Sequence, residues 1–380
     1  MTSPRQWRVP FSDVRLDEGD RAAVMAVLES NWLTMGPRIQ EFEEAFATAL
    51  GGAVSAVAVS NATAALHLSL AALGVGPGDE VICPALTFVA TANAARYVGA
   101  TPVLADICSE DEWNIDPADV ERRITPRTKA IIVVHYGGYP VRMDEILNIA
   151  RRHGLVVVED ASHGPLSEWR GRKLGTIGDA GCFSFFGNKN MTTGEGGMVV
   201  TARADVAERL RLMRSHGMTS NSYARFRGHA FGYDVVATGY NFRMDEMRAA
   251  LGISQLRKLT SVNLRRSLLV DRYRHAMKEA LPTVGVPFGD WEGPYAFHIF
   301  PVLLPAGYGD RADLMRRLAD AGIQTSVHYT PIHWFADFTF LKAELPITDG
   351  LADRILTLPL YPSMAEQDIA LVVDTLRDFL

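Results

Sequence analysis

The chemistry in this chain starts from an amine, Lys189, and a carboxylate, Asp160. Lys189 lies in CFSFFGNKNMTTGEGG, residues 182–197, where an apolar run stops at Gly187-Asn188-Lys189 and glycines crowd the chain behind it. A lysine held where water is scarce loses its proton more readily, and its free amine becomes a nucleophile. The alternative is a surface loop lysine, although an exposed loop has little need for so much apolar and glycine constraint. Asp160 follows Glu159 directly after LVVV. An acid in that place is poorly solvated and needs a cation or good donors. It reads either as a helix cap or ion pair, or as a charge aimed at a ligand. His163, three residues on, either faces the same cleft or is a structural histidine.

Two further segments sit where an apolar run gives way to a helical pattern. Ser60-Asn61-Ala62-Thr63 is either a simple helix cap or an anion site built from free N–H groups and the positive end of the helix dipole. Phe88, in PALTF, is either core or a flat face for a planar ring. One cofactor uses all four features. Pyridoxal 5′-phosphate (PLP) needs a lysine, an acid on its ring nitrogen, a phosphate site and something to stack on its ring.

The elements that must position these groups alternate. Strands are expected at 53–60, 80–83, 101–105, 129–135, 155–158, 181–186 and 197–201, with helices at 61–73, 88–98 and 143–153. Strands that are apolar throughout are buried on both faces, so the sheet is expected to be mainly parallel and covered by helices. Ligands of such sheets bind at the carboxyl ends of the strands, where all four groups fall. Beyond about residue 240 the pattern changes to a long helix over 244–279, strands at 296–304 and 323–328, and helices at 311–321 and 365–379. The expectation is an α/β domain over 1–245, with an N-terminal helical segment, and a smaller α+β domain over 246–380. Residues 216–240 read as a long loop.

Composition narrows the function. The 380 residues are 48% hydrophobic and 22% charged, as in ordinary globular proteins. A net charge of −6 offers no basic patch for nucleic acid or an anionic membrane. No apolar stretch is long enough to cross a bilayer, and the first residues lack the apolar core of a secretory signal. Three cysteines, with no CxxC, fit a reducing, cytoplasmic setting and argue against a disulfide scaffold or a cysteine metal site. There is no P-loop, and no GxGxxG follows a strand, so ATP and nicotinamide dinucleotides are not implied.

VVEDASH, CFSFFGNKNMTTGEGGMVVT, GPGDEVICPALTFVATANAARYVGATPV and GYNFRMDEMRAALGISQL together resemble the DegT/DnrJ family of nucleotide-sugar aminotransferases, which are fold-type-I PLP enzymes. The resemblance is collinear from about Pro10, through NWLTMGP at 31–37, to LPLYPSM at 358–364. It implies that Lys189 is the Schiff-base lysine and proton shuttle, that Asp160 pairs with the ring nitrogen and that Phe88 stacks on the ring. Ala62, Thr63 and Ser184 match phosphate-binding positions, and His163 matches a residue beside the ring face or its 3-oxygen. Asn241 matches an asparagine that reaches the neighbouring subunit's phosphate, so a homodimer with a shared site is implied. Most members have glycine where this chain has Ala62, which puts that contact in question. His328 and Tyr329, in a motif of the form HY-x-P-x-H, match a loop beside the sugar; Trp32, Thr34 and Arg214–His216 are looser candidates for substrate contact.

The activity implied is transfer of an amino group from L-glutamate to the keto group, at C4, of a nucleotide-linked 4-keto-6-deoxy sugar, by a ping-pong route through an internal aldimine. A subgroup with histidine in place of the lysine dehydrates instead; Lys189 points to transamination. Two alternatives remain at this point: a keto-cyclitol aminotransferase on the same scaffold, and a non-catalytic sugar-binding or regulatory protein.

Overall fold

The computed structural model describes residues 6–220, 223, 228, 232–289 and 291–380. Two helices come first, α1 (Glu18–Ser30) and α2 (Pro37–Ala49). Asp17 opens α1 with a capping box shared with Asp20, and Pro37 opens α2 at a position where no N–H is needed. The alternating region then supplies β1 (Ser55–Val59), α3 (Ala62–Ala72), β2 (Glu80–Pro84), α4 (Val89–Tyr97), β3 (Thr101–Ala105), α5 (Pro117–Arg122), β4 (Thr128–Val134), α6 (Met143–His153) and β5 (Val156–Asp160). A small hairpin follows, β6 (Glu168–Trp169) and β7 (Arg172–Lys173). After it come β8 (Ala180–Ser184), β9 (Gly197–Thr201) and α7 (Ala204–Met213).

Seven strands form one sheet in the order β1-β9-β8-β5-β4-β2-β3. Only β9 runs against the rest, pairing antiparallel with both β1 and β8, so the sheet is mainly parallel and mixed, as expected. Both faces are covered. Ile131 and Val133 of β4 enter one core with Phe42 and Phe46 of α2. Ala130 and Ile132 enter the other with Leu66 and Leu70 of α3. That two-sided burial is why these strands lack an apolar–polar alternation.

The remaining elements are α8 (Glu246–Leu256), α9 (Leu259–Ala280), β10 (Phe300–Leu303), α10 (Arg311–Asp320), α11 (Pro346–Ala352), β11 (Ile355–Leu358) and α12 (Glu366–Phe379). A third core gathers Leu269, Tyr273 and Met277 of α9, the β10–β11 pair and Val372 and Leu376 of α12. It also takes in Trp113 and Tyr136 from the sheet side, which joins this unit to the sheet.

Two expectations are corrected. The single helix over 244–279 is two, α8 and α9, broken at Arg257–Lys258. One straight axis cannot serve two cores: Ile253 and Leu259 bury against the sheet, whereas Leu269 and Tyr273 face the C-terminal core. Lys258 pins the break by reaching Asp17 and Asp20 of α1, each at 2.7 Å. The strand expected over 323–328 is not a continuous ladder. Its backbone is divided between a bridge of Ile323 to Val9 and one of Ser326 to Thr357, so no run of pairs forms on either side. Among the described residues no helix is long and apolar enough to cross a membrane.

Candidate active site

The parallel strands end along one edge, and there the chain builds a cavity of about 290 Å³. Ala62, Thr63, Phe88, Asp160, His163, Ser184, Lys189, His328 and Tyr329 all line it. They come from the starts of α3 and α4, the ends of β5 and β8, the β8–β9 loop and the 324–333 segment. A larger cavity of about 510 Å³ lies between α2, β1 and the end of α7. It holds the ion pair of Glu43 and Arg214 and lacks an amine nucleophile.

Lys189 reaches the cavity because the glycines behind it allow the loop to turn back. Gly194 has φ +77°. A Cβ on Gly197 would lie 2.5 Å from the Asn61 carbonyl carbon, so only glycine lets β9 start beneath the first turn of α3. Burial pushes the Lys189 amine down to about 8, and the charge of Asp160 opposes part of that fall. The loop is thus a device for presenting a readily deprotonated amine.

Asp160 is buried at the end of β5. Its Oδ1 accepts from the Ser162 N–H at 3.1 Å and its Oδ2 from the Thr91 hydroxyl at 3.2 Å. Four acceptor sites with two donors leave the carboxylate able to accept more from the cavity. At the start of α3, Asn61 Oδ1 caps the helix by accepting from Ala64 N at 2.8 Å. The N–H groups of Ala62 and Thr63 precede the first intrahelical bond and face outward without a carbonyl one turn back. Ala62 sits in ordinary helical backbone, so the alanine that departs from the family pattern presents its N–H as glycine would. Ser184 ends β8 on the cavity wall.

Phe88, the residue before α4, is 56% exposed, a large share for a phenyl ring at a cavity mouth, and its ring meets Tyr329 at 6.1 Å. His163 Nδ1 accepts from the Gly137 N–H at 3.2 Å, so its proton sits on Nε2 and is donated to the Tyr329 oxygen at 2.9 Å. Burial, then Lys189 and His328, hold the imidazole of His163 well below its usual range. His328 bonds to the Thr357 hydroxyl at 3.0 Å, and burial pushes it down to about 4.

An amine, an open carboxylate, a pair of helix-start N–H groups and an exposed flat ring in one cavity fit the ring nitrogen, aldehyde and phosphate of PLP. Sequence reasoning missed two residues of the site. Thr91, the buried hydroxyl that donates to Asp160, was hidden in a helical pattern, and His298 lay inside AFHIF, where a single histidine in an apolar run was the only signal. His298 lines the cavity and approaches Lys189. Thr34 and Asn241 are both exposed and do not line the cavity of their own chain.

Residues 14–377 match the DegT/DnrJ/EryC1/StrS aminotransferase family. The chain belongs to that family. Its members are PLP-dependent, so this DegT/DnrJ/EryC1/StrS protein is a PLP-dependent sugar aminotransferase on an α/β fold-type-I scaffold. The family member SpsC of Bacillus subtilis (strain 168), a spore coat polysaccharide biosynthesis protein, is 40% identical over 100% of this chain and 99% of its own length. A putative sugar aminotransferase, Spr1654 of Streptococcus pneumoniae, is solved in its pyridoxamine phosphate form at a TM-score of 0.90 and 29% identity, covering 98% of each chain. Its PLP form superposes at 0.89, with 28% identity over 97% of this chain and 98% of its own. DesI, solved in the presence of its TDP-sugar product, has a TM-score of 0.87 and 35% identity over 99% of this chain and 93% of its own.

Proposed function

We propose that this aminotransferase moves the amino group of L-glutamate to the C4 keto group of a nucleotide-linked 4-keto-6-deoxy sugar, in two alternating half-reactions. The observation that carries the reading is the amine of Lys189, held near neutrality by burial, in one cavity with Asp160. Bound there, PLP supplies an electron sink that makes a Cα proton of an amine substrate removable.

The chain's own groups then have distinct tasks. Lys189 Nζ takes the Cα proton of the amino donor and returns one to the former keto carbon of the sugar; an amine poised near pH 8 does both. Asp160 holds a proton on the ring nitrogen with the lone pairs that Thr91 and Ser162 leave open. Ala62 N, Thr63 N and the Ser184 hydroxyl hold the phosphate at the positive end of α3. Phe88 covers one ring face. Because His163 donates to the Tyr329 oxygen, the phenolic hydrogen of Tyr329 is free to point at an acceptor on the substrate. His328 stands beside it, neutral at working pH.

We place the enzyme in a homodimer. Thr34 and Asn241 are exposed and outside their own chain's cavity, which supports their reaching a partner's sugar and phosphate instead. DesI's TDP-sugar product supports a nucleotide-linked ketone as the acceptor.

The test is direct. The purified holoenzyme should be yellow, should bleach with L-glutamate, and should lose both properties in Lys189→Ala. A panel of TDP-, UDP- and GDP-linked 4-keto and 3-keto sugars, read by mass, should give amination of the 4-keto-6-deoxy members with one 2-oxoglutarate per amine. Amination of a keto-cyclitol alone, or of 3-keto sugars alone, would overturn the assignment.

A further inference from the structure

One buried titratable group beside Lys189 has no task in the reaction described above. His298 is 6% exposed, and its Nε2 stands 3.4 Å from Lys189 Nζ. The direction of that contact follows from the far end of a relay. Asn263 Nδ2 donates to the Pro165 carbonyl at 2.9 Å, which turns the Asn263 oxygen toward Asn190. Asn190 Nδ2 donates to that oxygen at 2.8 Å and to the Ala296 carbonyl at 2.6 Å. Exchanging the Asn190 nitrogen and oxygen would set oxygen against two acceptors, so its amide has one orientation. Asn190 Oδ1 must then accept from His298 Nδ1, 3.1 Å away. The single proton of a neutral His298 is on Nδ1, and Nε2 faces Lys189 as a bare lone pair. Adding a second proton is opposed first by burial, then by Lys189, His163, Arg266 and His328.

We propose that His298 is the positioning residue of Lys189: its Nε2 accepts a hydrogen from the lysine amine and holds that amine in the cavity whenever it is free. The inference rests on Lys189 being the amine of the transfer reaction. The relay begins on α9 and on the 165 and 296 backbone, all outside the β8–β9 loop that carries Lys189. A lone pair binds an ammonium more strongly than an amine, because the ammonium bond is charge-assisted. His298 therefore also keeps Lys189 able to carry its proton between the two transfers. The other titratable groups around the pair are Asp160 at the end of β5, Glu195 on the β8–β9 loop, His163, His328 and Tyr329 from loops, and Arg266 from α9. Arg266 Nη1 is tied to the carbonyls of Phe297, His298 and Leu360.

Two measurements on the full chain in its pyridoxamine phosphate form decide it. Nitrogen-15 histidine NMR at pH 7, with His298 assigned from the spectrum of His298→Phe, should show a neutral ring protonated on Nδ1. A ring protonated on Nε2, or on both nitrogens, overturns the proposal. Competitive labelling of Lys189 by acetic anhydride, read by mass across pH, gives the midpoint of its amine. Removing an acceptor disfavours the ammonium, so His298→Phe should lower the midpoint. Asn263→Leu, which only loosens the relay, should lower it less. A rise, or no change in His298→Phe, overturns the proposal. Turnover in His298→Phe should fall roughly 10- to 100-fold with the KM for ketone within about twofold. Should Lys189→Ala remain active, the transfer reading fails whatever His298 does. Should it be dead while the midpoint stays unmoved, only this inference fails.

Discussion

Glu159 and Asp160 are neighbours at the end of β5, both buried, and point to opposite faces of the sheet. Glu159 faces away from the cavity and is saturated. Its carboxylate accepts from the N–H groups of Gly175, Ile177 and Gly178 at 2.6 to 2.8 Å. It also accepts from His135 Nε2 at 3.0 Å, because His135 Nδ1 is already occupied by the Val141 N–H. Asp160 faces the cavity and has two donors among the described residues. A buried carboxylate whose lone pairs are all taken fixes chain geometry; one left with free lone pairs can hold a ligand. The sequence shows two acids in a row, and the count of donors separates their tasks.

Paired substitutions separate the two acids most sharply. Asp160→Asn should cut turnover by about 10³-fold, the scale of losing a preorganised charge on the reacting group, while its melting temperature stays within a few degrees. A turnover within tenfold of wild type would put both acids in the structural class. Glu159→Gln should do the reverse. Replacing an acceptor oxygen with an NH₂ sets donor against donor, and the fold should lose about 3 kcal/mol in denaturant titration. The protein that remains folded should retain turnover within about threefold, and large loss without destabilisation would contradict the assignment.

A pH measurement sharpens the same contrast. In the chain stripped of cofactor, acylation of Lys189 should rise with pH through a midpoint of about 8. The charge of Asp160 raises that midpoint, so Asp160→Asn should lower it, whereas Glu159→Gln should leave it in place. The smallest effect concerns the first turn of α3. Ala62→Gly restores the residue common in the family but adds backbone freedom, so stability should fall by about 0.5 kcal/mol, with PLP affinity unchanged within about twofold. A large gain in affinity would show that the Ala62 methyl group obstructs the phosphate.

Much of the site was legible along the chain. Lys189 was marked by its glycine-rich setting, Asp160 by the apolar run before it, and Ala62 and Thr63 by the change from strand to helix. Those signals are local, because they come from residues a few positions apart that share one strand end or one loop. The contacts that define the tasks are not local. His298 meets Lys189 across 109 positions, and Tyr329 meets His163 across 166. No spacing rule reports such pairs.

The alternation of apolar strands and amphipathic helices by itself determined a mainly parallel sheet covered on both faces, and with it the edge at which ligands bind. Tertiary structure alone decided that the helical run beyond residue 244 breaks at Lys258, since two separate cores draw on its two halves. It alone placed Thr34 and Asn241 outside their own chain's cavity. It also decided which partner meets each imidazole nitrogen of His163 and His298. Periodicity is a property of neighbouring residues, whereas hydrogen-bond direction depends on every donor and acceptor that folding brings within reach.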